Sequence, residues 1–285
     1  MVALGARSAT LADMSAVSFA DLRLDHPAEG VARLTLDRPA RLNALTWDTI
    51  EEVHAALRLV GSDEGARVLV LTGAGRGFCA GLDIRQRDDA LGVDDDVLDV
   101  YRRQELVASL ATALRELPQP VIAAVNGPAS GGGFALALAA DVRLCAPEAR
   151  FNAAFVRIGL SGCDVGVSYL LPRIVGLGIA SELLLTGRQV DADEALRIGL
   201  ANRVVAADAL EAEALALAAE IAANSPWGVA MTKQVLRRNA DATSLEAAIE
   251  LENRTQVLAT RTHDAREAVA AFRERRPARF AGRSR

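Results

Sequence analysis

The sequence predicts an α/β fold because short buried strands alternate with amphipathic helices. VLVLT at 68–72 and PQPVIAAVNG at 118–127 contain continuous apolar runs, which are typical of strands covered on both faces. Between them, one helical stripe is predicted over about 97–117 from Val107, Leu110, Leu114 and Leu117. An alternation of strand, helix and strand indicates one α/β body and not separate all-α or all-β modules.

The first elements follow from local patterns. VARLTLDRP at 31–39 alternates apolar and polar residues and ends in a turn sequence, so it predicts a strand. Thr46 can cap the next helix. The apolar positions of that helix recur at steps of three and four residues and are Trp47, Ile50, Val53, Leu57 and Val60. An acidic loop around Asp88 to Asp96 follows, and its Asp94-Asp95-Asp96 run favours a helix N-terminus over a metal site.

The second half becomes increasingly helical. GGGFALALAAD at 131–141 predicts a strand-to-helix junction, and VRLCA predicts a further strand. Asp191 and Glu194 form a capping-box pattern before a short helix. Four more helices are predicted, at 208–223, 226–239, 244–261 and 263–275. Their apolar positions must be buried against the α/β body or against another copy of the chain, and these positions include Leu236, Leu245, Ile249, Val257, Leu258 and Phe272.

Composition excludes several classes of protein. With 285 residues, of which 51% are hydrophobic, the chain can bury a large core. A net charge of −5 argues against nucleic acid as the main partner. We expect no membrane span, because no apolar run approaches the length of about 20 residues that a bilayer requires. Three irregularly spaced cysteines predict neither disulfides nor a zinc site, which favours the cytoplasm, and residues 1–17 are expected to be a flexible leader.

Two glycine-rich turns are the first features with chemical meaning. In GAGRGFCAGLDI at 73–84, the small residues Ala80 and Gly81 allow close approach of a ligand and can leave the Leu82 amide pointing outward. In SGGGFALALAAD at 130–141, the helix start offers free N–H groups and a positive dipole end. One amide from each turn would stabilise an oxygen that becomes negative during a reaction. The alternative is that both segments are only tight turns, and the glycine spacing does not fit a dinucleotide site.

Together these segments resemble the enoyl-CoA hydratase/isomerase family, the crotonase superfamily. The matching stretches cover nearly all of the chain from about residue 18 and are DRPARLNALT, GRGFCAGLDI, PQPVIAAVNGPASGGGFALALAADVRLCA, LPRIVGLGIASELLLTGR, DADEALRIGLANRVV and AFRERRPARF. The resemblance implies a spiral of ββα units over 18–207 and a helical trimerisation region over 208–285. It also implies a homotrimer or hexamer and an acyl-CoA thioester as substrate, with no separate cofactor and no metal.

The resemblance also assigns site residues. The amides of Leu82 and Gly132 would bind the thioester oxygen. The CoA path would be lined by Arg41, Leu42, Ala44, Ala80, Asp83, Ile84 and Arg85. Arg275 and Arg276 could meet the CoA phosphates of their own or a neighbouring subunit, or could form a solvated helix end.

The chain departs from the family where hydratases carry two glutamates. Those positions hold Ala135 and Phe155, neither of which exchanges a proton, so the ordinary two-glutamate hydration is excluded. Asp164, in GLSGCDVGVSYLL, matches an aspartate that transfers a proton in dienoyl-CoA isomerases of the family and is the nucleophile in a chlorobenzoyl-CoA dehalogenase. We expect apolar surroundings from Phe134, Phe151, Phe155 and Leu160, which would help Asp164 to act as an acid or base. The alternative is that Asp164 only caps the following helix.

The sequence therefore predicts an acyl-CoA enzyme in which paired amides stabilise a thioester enolate and Asp164 adds or removes a proton. The sequence leaves open whether this chemistry is isomerisation or hydration by a different arrangement of groups. Two further alternatives remain. One is a CoA-ester-binding protein without hydratase activity, which Ala135 and Phe155 favour. The other is dehalogenase-like or hydrolase-like chemistry, with Asp164 as the nucleophile.

Overall fold

The computed structural model describes residues 18–86 and 96–282. The predicted leader over 1–17 and most of the predicted acidic loop, including Asp94 and Asp95, lie outside the described residues. Within these ranges the chain forms the predicted α/β body, followed by a run of helices. Asp96 caps the helix after the acidic loop by accepting a hydrogen bond from the Leu98 amide.

Two sheets form the body. The strands are β1 Leu22–Ala28, β2 Val31–Leu36, β3 Val68–Gly73, β4 Val121–Val125, β5 Pro128–Ser130, β6 Val142–Cys145, β7 Arg150–Asn152, β8 Val190–Asp191 and β9 Arg203–Val204. A six-stranded sheet has the order β1-β2-β3-β4-β6-β9, with β1 antiparallel to β2 and the remaining neighbours parallel, and a three-stranded sheet has the order β5-β7-β8. The crossovers between parallel strands bring both glycine-rich turns to the same region of the fold.

The α-helices follow the sequence periodicity closely. They are α1 Trp47–Ser62, α2 Val97–Glu116, α3 Gly132–Ala139, α4 Val167–Val175, α5 Leu177–Thr186, α6 Ala192–Arg197, α7 Leu210–Ala222, α8 Pro226–Asn239, α9 Leu245–Ala259 and α10 His263–Glu274. Thr46 caps α1 and Asp191 caps α6, as predicted. The second half of the predicted capping box does not form, because the Glu194 carboxylate binds the Arg188 guanidinium.

Strands β3 and β4 are buried on both faces, as their continuous apolar runs predict. One face of the six-stranded sheet and helices α1 to α6 contribute buried residues to the larger of two cores. The other face packs against α7, whose Leu210, Ala214 and Ala218 contact the sheet. Within the described ranges, no helix is both long enough and apolar enough to cross a bilayer.

Helix α8 is attached to the body through a buried lysine. The Lys233 ammonium lies 2.8 Å from an Asp141 carboxylate oxygen and donates to the carbonyls of Leu114 and Gln119. Burial lowers the pKa of Lys233, and the Asp141 charge opposes that shift. The predicted domain boundary near residue 208 stays a prediction. Helix α7, which follows it, lies on the sheet, whereas α8 to α10 bury few residues.

Those last helices leave their apolar side chains exposed. Leu236, Leu245, Ile249, Val257, Leu258 and Phe272 all lie on the surface of the chain. The sequence leaves two ways of burying these side chains, against the α/β body or against another copy of the chain. Because they are exposed, they do not pack against the body of their own copy.

Candidate active site

The turn after β3 is held open by main-chain pairing on both sides. Leu45 donates to the Gly81 carbonyl at 2.7 Å, and Asp83 donates to the Leu45 carbonyl at 2.8 Å. This parallel bridge uses the peptide groups on either side of Leu82 and leaves the Leu82 amide without an acceptor among the described residues. The local fold therefore presents one main-chain donor.

A second donor comes from the first residue of α3. Gly132 starts this helix, so its N–H has no acceptor one turn earlier, and no other described group accepts from it. A Cβ built on Gly132 would lie 4.0 Å from the Leu82 nitrogen, and one built on Gly81 would lie 3.2 Å from the Gly132 nitrogen. The two amides are thus neighbours, and the positive end of the α3 dipole lies beside them.

Glycine is required where the two turns meet. A Cβ on Gly133 would lie 2.0 Å from the Cys79 carbonyl oxygen, so α3 can approach the 79–82 turn only without a side chain at that position. Gly81 has φ +88°, and a Cβ there would lie 2.7 Å from the Ser130 carbonyl oxygen. Contact between the two turns therefore depends on these glycines.

Two asparagines hold the start of the first turn. The buried Asn43 side-chain amide donates to the carbonyls of Ala74 and Gly77, at 2.9 and 2.7 Å. The Asn126 amide donates to the carbonyls of Gly73 and Gly75, each at 2.8 Å. Sequence reasoning missed both residues, although they stand inside the quoted stretches DRPARLNALT and VIAAVNG.

A cavity of about 490 Å³ opens at these amides. Of the residues to which the resemblance assigns a site role, ten line it, and only the C-terminal arginines do not; the ten are Leu82, Gly132, Asp164, Arg41, Leu42, Ala44, Ala80, Asp83, Ile84 and Arg85. Trp47, Gln104 and Ile158 also line it and were not predicted. Three arginines, Arg41, Arg76 and Arg85, give the cavity a positive rim that suits an anionic ligand.

Of the two carboxylates that line the cavity, Asp83 is held by other protein groups. It lies 3.2 Å from the Arg38 guanidinium and accepts from the Arg85 amide at 3.3 Å. This pairing makes its side chain part of the turn that carries Leu82. Asp164 has no arginine partner among the described residues.

Asp164 is half-buried and faces the cavity beside Phe155 and Leu160. Its Oδ1 accepts from the Gln104 Nε2 at 2.6 Å and from the Val165 amide at 2.7 Å. The capping alternative is wrong: α4 begins after Gly166, and no side chain caps it. Of the four apolar neighbours expected for Asp164, Phe134 and Phe151 lie in the core and do not line the cavity.

The two positions of the hydratase glutamates carry no polar group. Ala135 is fully buried in α3 and does not line the cavity. The Phe155 ring lines the cavity beside Gly131, where a Cβ would lie 3.4 Å from a ring carbon. A water molecule therefore meets an aromatic ring at the second position, which can neither orient it nor take its proton.

The predicted C-terminal arginines do not line this cavity within the described residues. Arg276 instead pairs with Glu267 and Glu274, each at 2.6 Å, and these hydrogen bonds raise the pKa of its guanidinium. The hydrogen bond from Arg276, followed by one from the Arg279 amide, lowers the pKa of Glu267 to about 2. No cluster of three or more histidine, cysteine, aspartate or glutamate side chains that could hold a metal ion occurs in 18–86 or 96–282.

Adjacent main-chain amides beside a carboxylate that lines the same cavity are typical of enzymes that stabilise an oxyanion. Residues 26–283 match the sequence model of the family described as Enoyl-CoA hydratase/isomerase. The chain belongs to this family, and the sequence-based resemblance and fold class are both confirmed.

Individual relatives agree with this assignment. The "Probable enoyl-CoA hydratase EchA12" of Mycobacterium tuberculosis is 44% identical over 256 residues, which cover 89% of this chain and 90% of that protein. The 1,2-epoxyphenylacetyl-CoA isomerase of Escherichia coli is 39% identical over 262 residues, covering 91% and 98% of the two chains. The crystal structure of an enoyl-CoA hydratase from Bacillus anthracis superposes with a TM-score of 0.86 at 32% identity, covering 92% of this chain and 100% of that one.

Proposed function

We propose that the protein is an acyl-CoA isomerase of its family, in which Asp164 moves a proton along the acyl chain of an enoyl-CoA. The observation that carries the proposal is one cavity that joins the amides of Leu82 and Gly132 to the Asp164 carboxylate, which has no arginine partner in 18–86 or 96–282. Proton transfer next to a thioester needs both parts, a base for the carbon-bound proton and donors for the oxygen that becomes negative.

The reaction balances with these groups alone. The Asp164 carboxylate takes a proton from the carbon next to the thioester of a β,γ-enoyl-CoA. The electron pair of that C–H bond moves toward the carbonyl oxygen, and the resulting dienolate oxygen accepts from the Leu82 and Gly132 amides. The Asp164 carboxylic acid then returns the proton to the γ-carbon, which gives the α,β-enoyl-CoA and regenerates the carboxylate.

Isomerisation is favoured over hydration because hydration needs a group that activates water. Ala135 and Phe155 stand at the two positions where family hydratases carry glutamates, and neither side chain binds a proton. The names of the relatives do not decide between the two reactions, since one that is 44% identical is named a probable enoyl-CoA hydratase and one that is 39% identical is named 1,2-epoxyphenylacetyl-CoA isomerase.

We place the CoA portion of the substrate along the positive rim of the cavity. Arg41 and Arg85 offer charge to the phosphates, and the 3₁₀ turn Pro39–Arg41 and the segment Ala80–Arg85 form adjoining walls. The acyl end then lies toward Trp47, Phe155 and Leu160, which give the cavity its apolar lining.

We further infer that α8 to α10 pack against other copies of the chain in a trimer or a dimer of trimers. The apolar side chains exposed on these helices support this inference, since a single copy leaves them in water.

Deuterium exchange tests the chemical proposal. The protein is incubated in D₂O with a β,γ-enoyl-CoA, an α,β-enoyl-CoA and a dienoyl-CoA, and deuterium in the acyl chain is followed by NMR. We expect the wild-type protein to exchange at least one substrate and Asp164→Asn to lower that rate by about 10²- to 10⁴-fold, because the amide cannot accept the proton.

The matched control is Asp99→Asn, which makes the same change on the exposed surface of α2, where Asp99 pairs with Arg102. It should exchange like the wild-type protein. Undiminished exchange in Asp164→Asn contradicts the proposal, as does CoA-ester binding without exchange of any substrate. A covalent acyl adduct on Asp164, detected by peptide mass, would instead establish the nucleophile alternative.

A further inference from the structure

The hydrogen bonds to the Asp164 carboxylate are unevenly distributed. Oδ1 accepts both bonds, from the Gln104 Nε2 at 2.6 Å and from the Val165 amide at 2.7 Å. Oδ2 has no hydrogen-bond partner among the described residues. A carboxylate held through one oxygen has a defined orientation and keeps the lone pairs of the other oxygen for a ligand.

Gln104 is well suited to this contact. It lies on α2, lines the same cavity, and is separated from Asp164 by 60 residues in the chain. Its amide carries no charge, so it donates to the carboxylate without forming the ion pair that an arginine would form. A donor on Oδ1 orients the carboxylate and leaves the lone pairs of Oδ2 for a ligand.

Within the described residues, no charged side chain is hydrogen-bonded to Asp164 in addition to Gln104. Among the residues that the structure describes, the other ionisable side chains lining the cavity are Arg41, Arg76, Asp83 and Arg85. Asp83 is bound to Arg38, and on α2 the Arg103 guanidinium lies 5.9 Å from the centre of the Trp47 ring. In the described part of the chain, Gln104 is the only side chain hydrogen-bonded to Asp164.

The backbone around Asp164 is also constrained. Val165 has φ +46°, a left-handed conformation that is strained for a β-branched residue. Its side chain is buried, and the Val167 amide donates to the Asp164 carbonyl at 2.9 Å. The main chain of Asp164 is therefore fixed by packing. The hydrogen bond from Gln104 then restricts the rotation of the Asp164 side chain.

We propose that Gln104 is a positioning residue that orients Asp164 through Oδ1, so that Oδ2 is the oxygen that transfers the proton. This inference rests on the proposed function of Asp164. Gln104 lies outside the sequence motifs that resemble the family, and its contact with Asp164 links α2 to the turn before α4.

Two nearly isosteric substitutions test it. Gln104→Met removes the donor at similar size and charge, and we expect kcat for exchange to fall by about 10- to 100-fold while KM changes less than about 2-fold. Gln104→Glu places a second carboxylate beside Asp164. We expect the acidic limb of its kcat/KM profile to move upward by about one pH unit or more, with activity partly recovered at high pH.

The control is Glu105→Met, because Glu105 is the exposed neighbour of Gln104 on α2 and does not line the cavity. It should keep the wild-type rate and pH profile. Thermal melts identify folding defects, and Gln104→His, which retains a ring N–H donor, should recover part of the rate lost in Gln104→Met if the donor matters. The Asp164→Asn/Gln104→Met double variant should be no slower than Asp164→Asn alone.

The outcomes separate the two proposals. Normal exchange in Asp164→Asn overturns both. If Asp164→Asn is inactive but Gln104→Met and Gln104→Glu keep the wild-type kcat and pH profile, only the role of Gln104 is wrong. A fall in thermal stability that fully accounts for the lost rate would also contradict the positioning role.

Discussion

At the scale of single residues, burial divides the three cysteines into two chemical classes. Burial raises the pKa of the Cys79 and Cys145 thiols to about 12, whereas Cys163 is exposed. Since the thiolate is the reactive form, the two buried thiols should be inert at pH 8. We expect iodoacetamide to modify one of the three cysteines in the native protein and all three in denaturant, as counted by intact mass. Labelling of Cys79 or Cys145 ahead of Cys163 would contradict this.

The residue scale also shows what the sequence could reveal about the site. Asp164 was identifiable because it is the only ionisable carboxylate in a small, apolar stretch. Its partner Gln104 was not, because one exposed polar residue on a predicted helix resembles any other. The helix-capping alternative was wrong for a conformational reason: Val165 and Gly166 both have positive φ, so the chain turns before α4 begins. No local pattern predicts a valine in that conformation.

At the scale of elements, the position of the Gly132 amide depends on the contact between α3 and the 79–82 turn. A Cβ at Gly133 would overlap the Cys79 carbonyl oxygen at 2.0 Å; the oxygen is main chain and a Cβ has no rotational freedom, so α3 must move. We expect Gly133→Ala to lower kcat by about 10²- to 10³-fold, the usual cost of losing one oxyanion donor, and to lower thermal stability.

Gly178→Ala is the matched control, because a Cβ there meets nothing within 4 Å and the residue lies in the first turn of α5. It should leave kcat unchanged and raise stability by up to about 1 kcal/mol through helix propensity. Steady-state kinetics and thermal melts measure both effects. A fully active Gly133→Ala protein would show that the α3 contact does not position the amide.

Element boundaries were well predicted because their causes are local. The stripe of Val107, Leu110 and Leu114 is buried on α2, and Thr46 caps α1. The contact between the two glycine-rich turns depends instead on parallel pairing of β3 with β4, which joins residues about 50 positions apart. Sequence reasoning reached that contact only through the family resemblance.

At the scale of the whole molecule, the exposed apolar surface of α8 to α10 is the main feature that one chain leaves without a partner. Phe272 is 86% exposed, and Leu236 and Leu258 are more than half exposed. Burying each such side chain at an interface would contribute roughly 1.5–3 kcal/mol. Several per copy would suffice for a stable assembly, because closed symmetry repeats the same contact in every subunit.

Phe272→Asp tests the assembly. The wild-type side chain buries little within its own chain, so the variant subunit should stay folded, with an unchanged far-UV circular dichroism spectrum. In a trimer or hexamer, however, the change removes apolar contact and introduces a charge at each interface. We expect sedimentation equilibrium to give a trimer or hexamer for the wild-type protein and smaller species for Phe272→Asp at micromolar concentration. Leu185→Asp, at an exposed position on α5, should leave the mass unchanged. A monomeric wild-type protein, or dissociation caused by Leu185→Asp and not by Phe272→Asp, would place the interface elsewhere or exclude it.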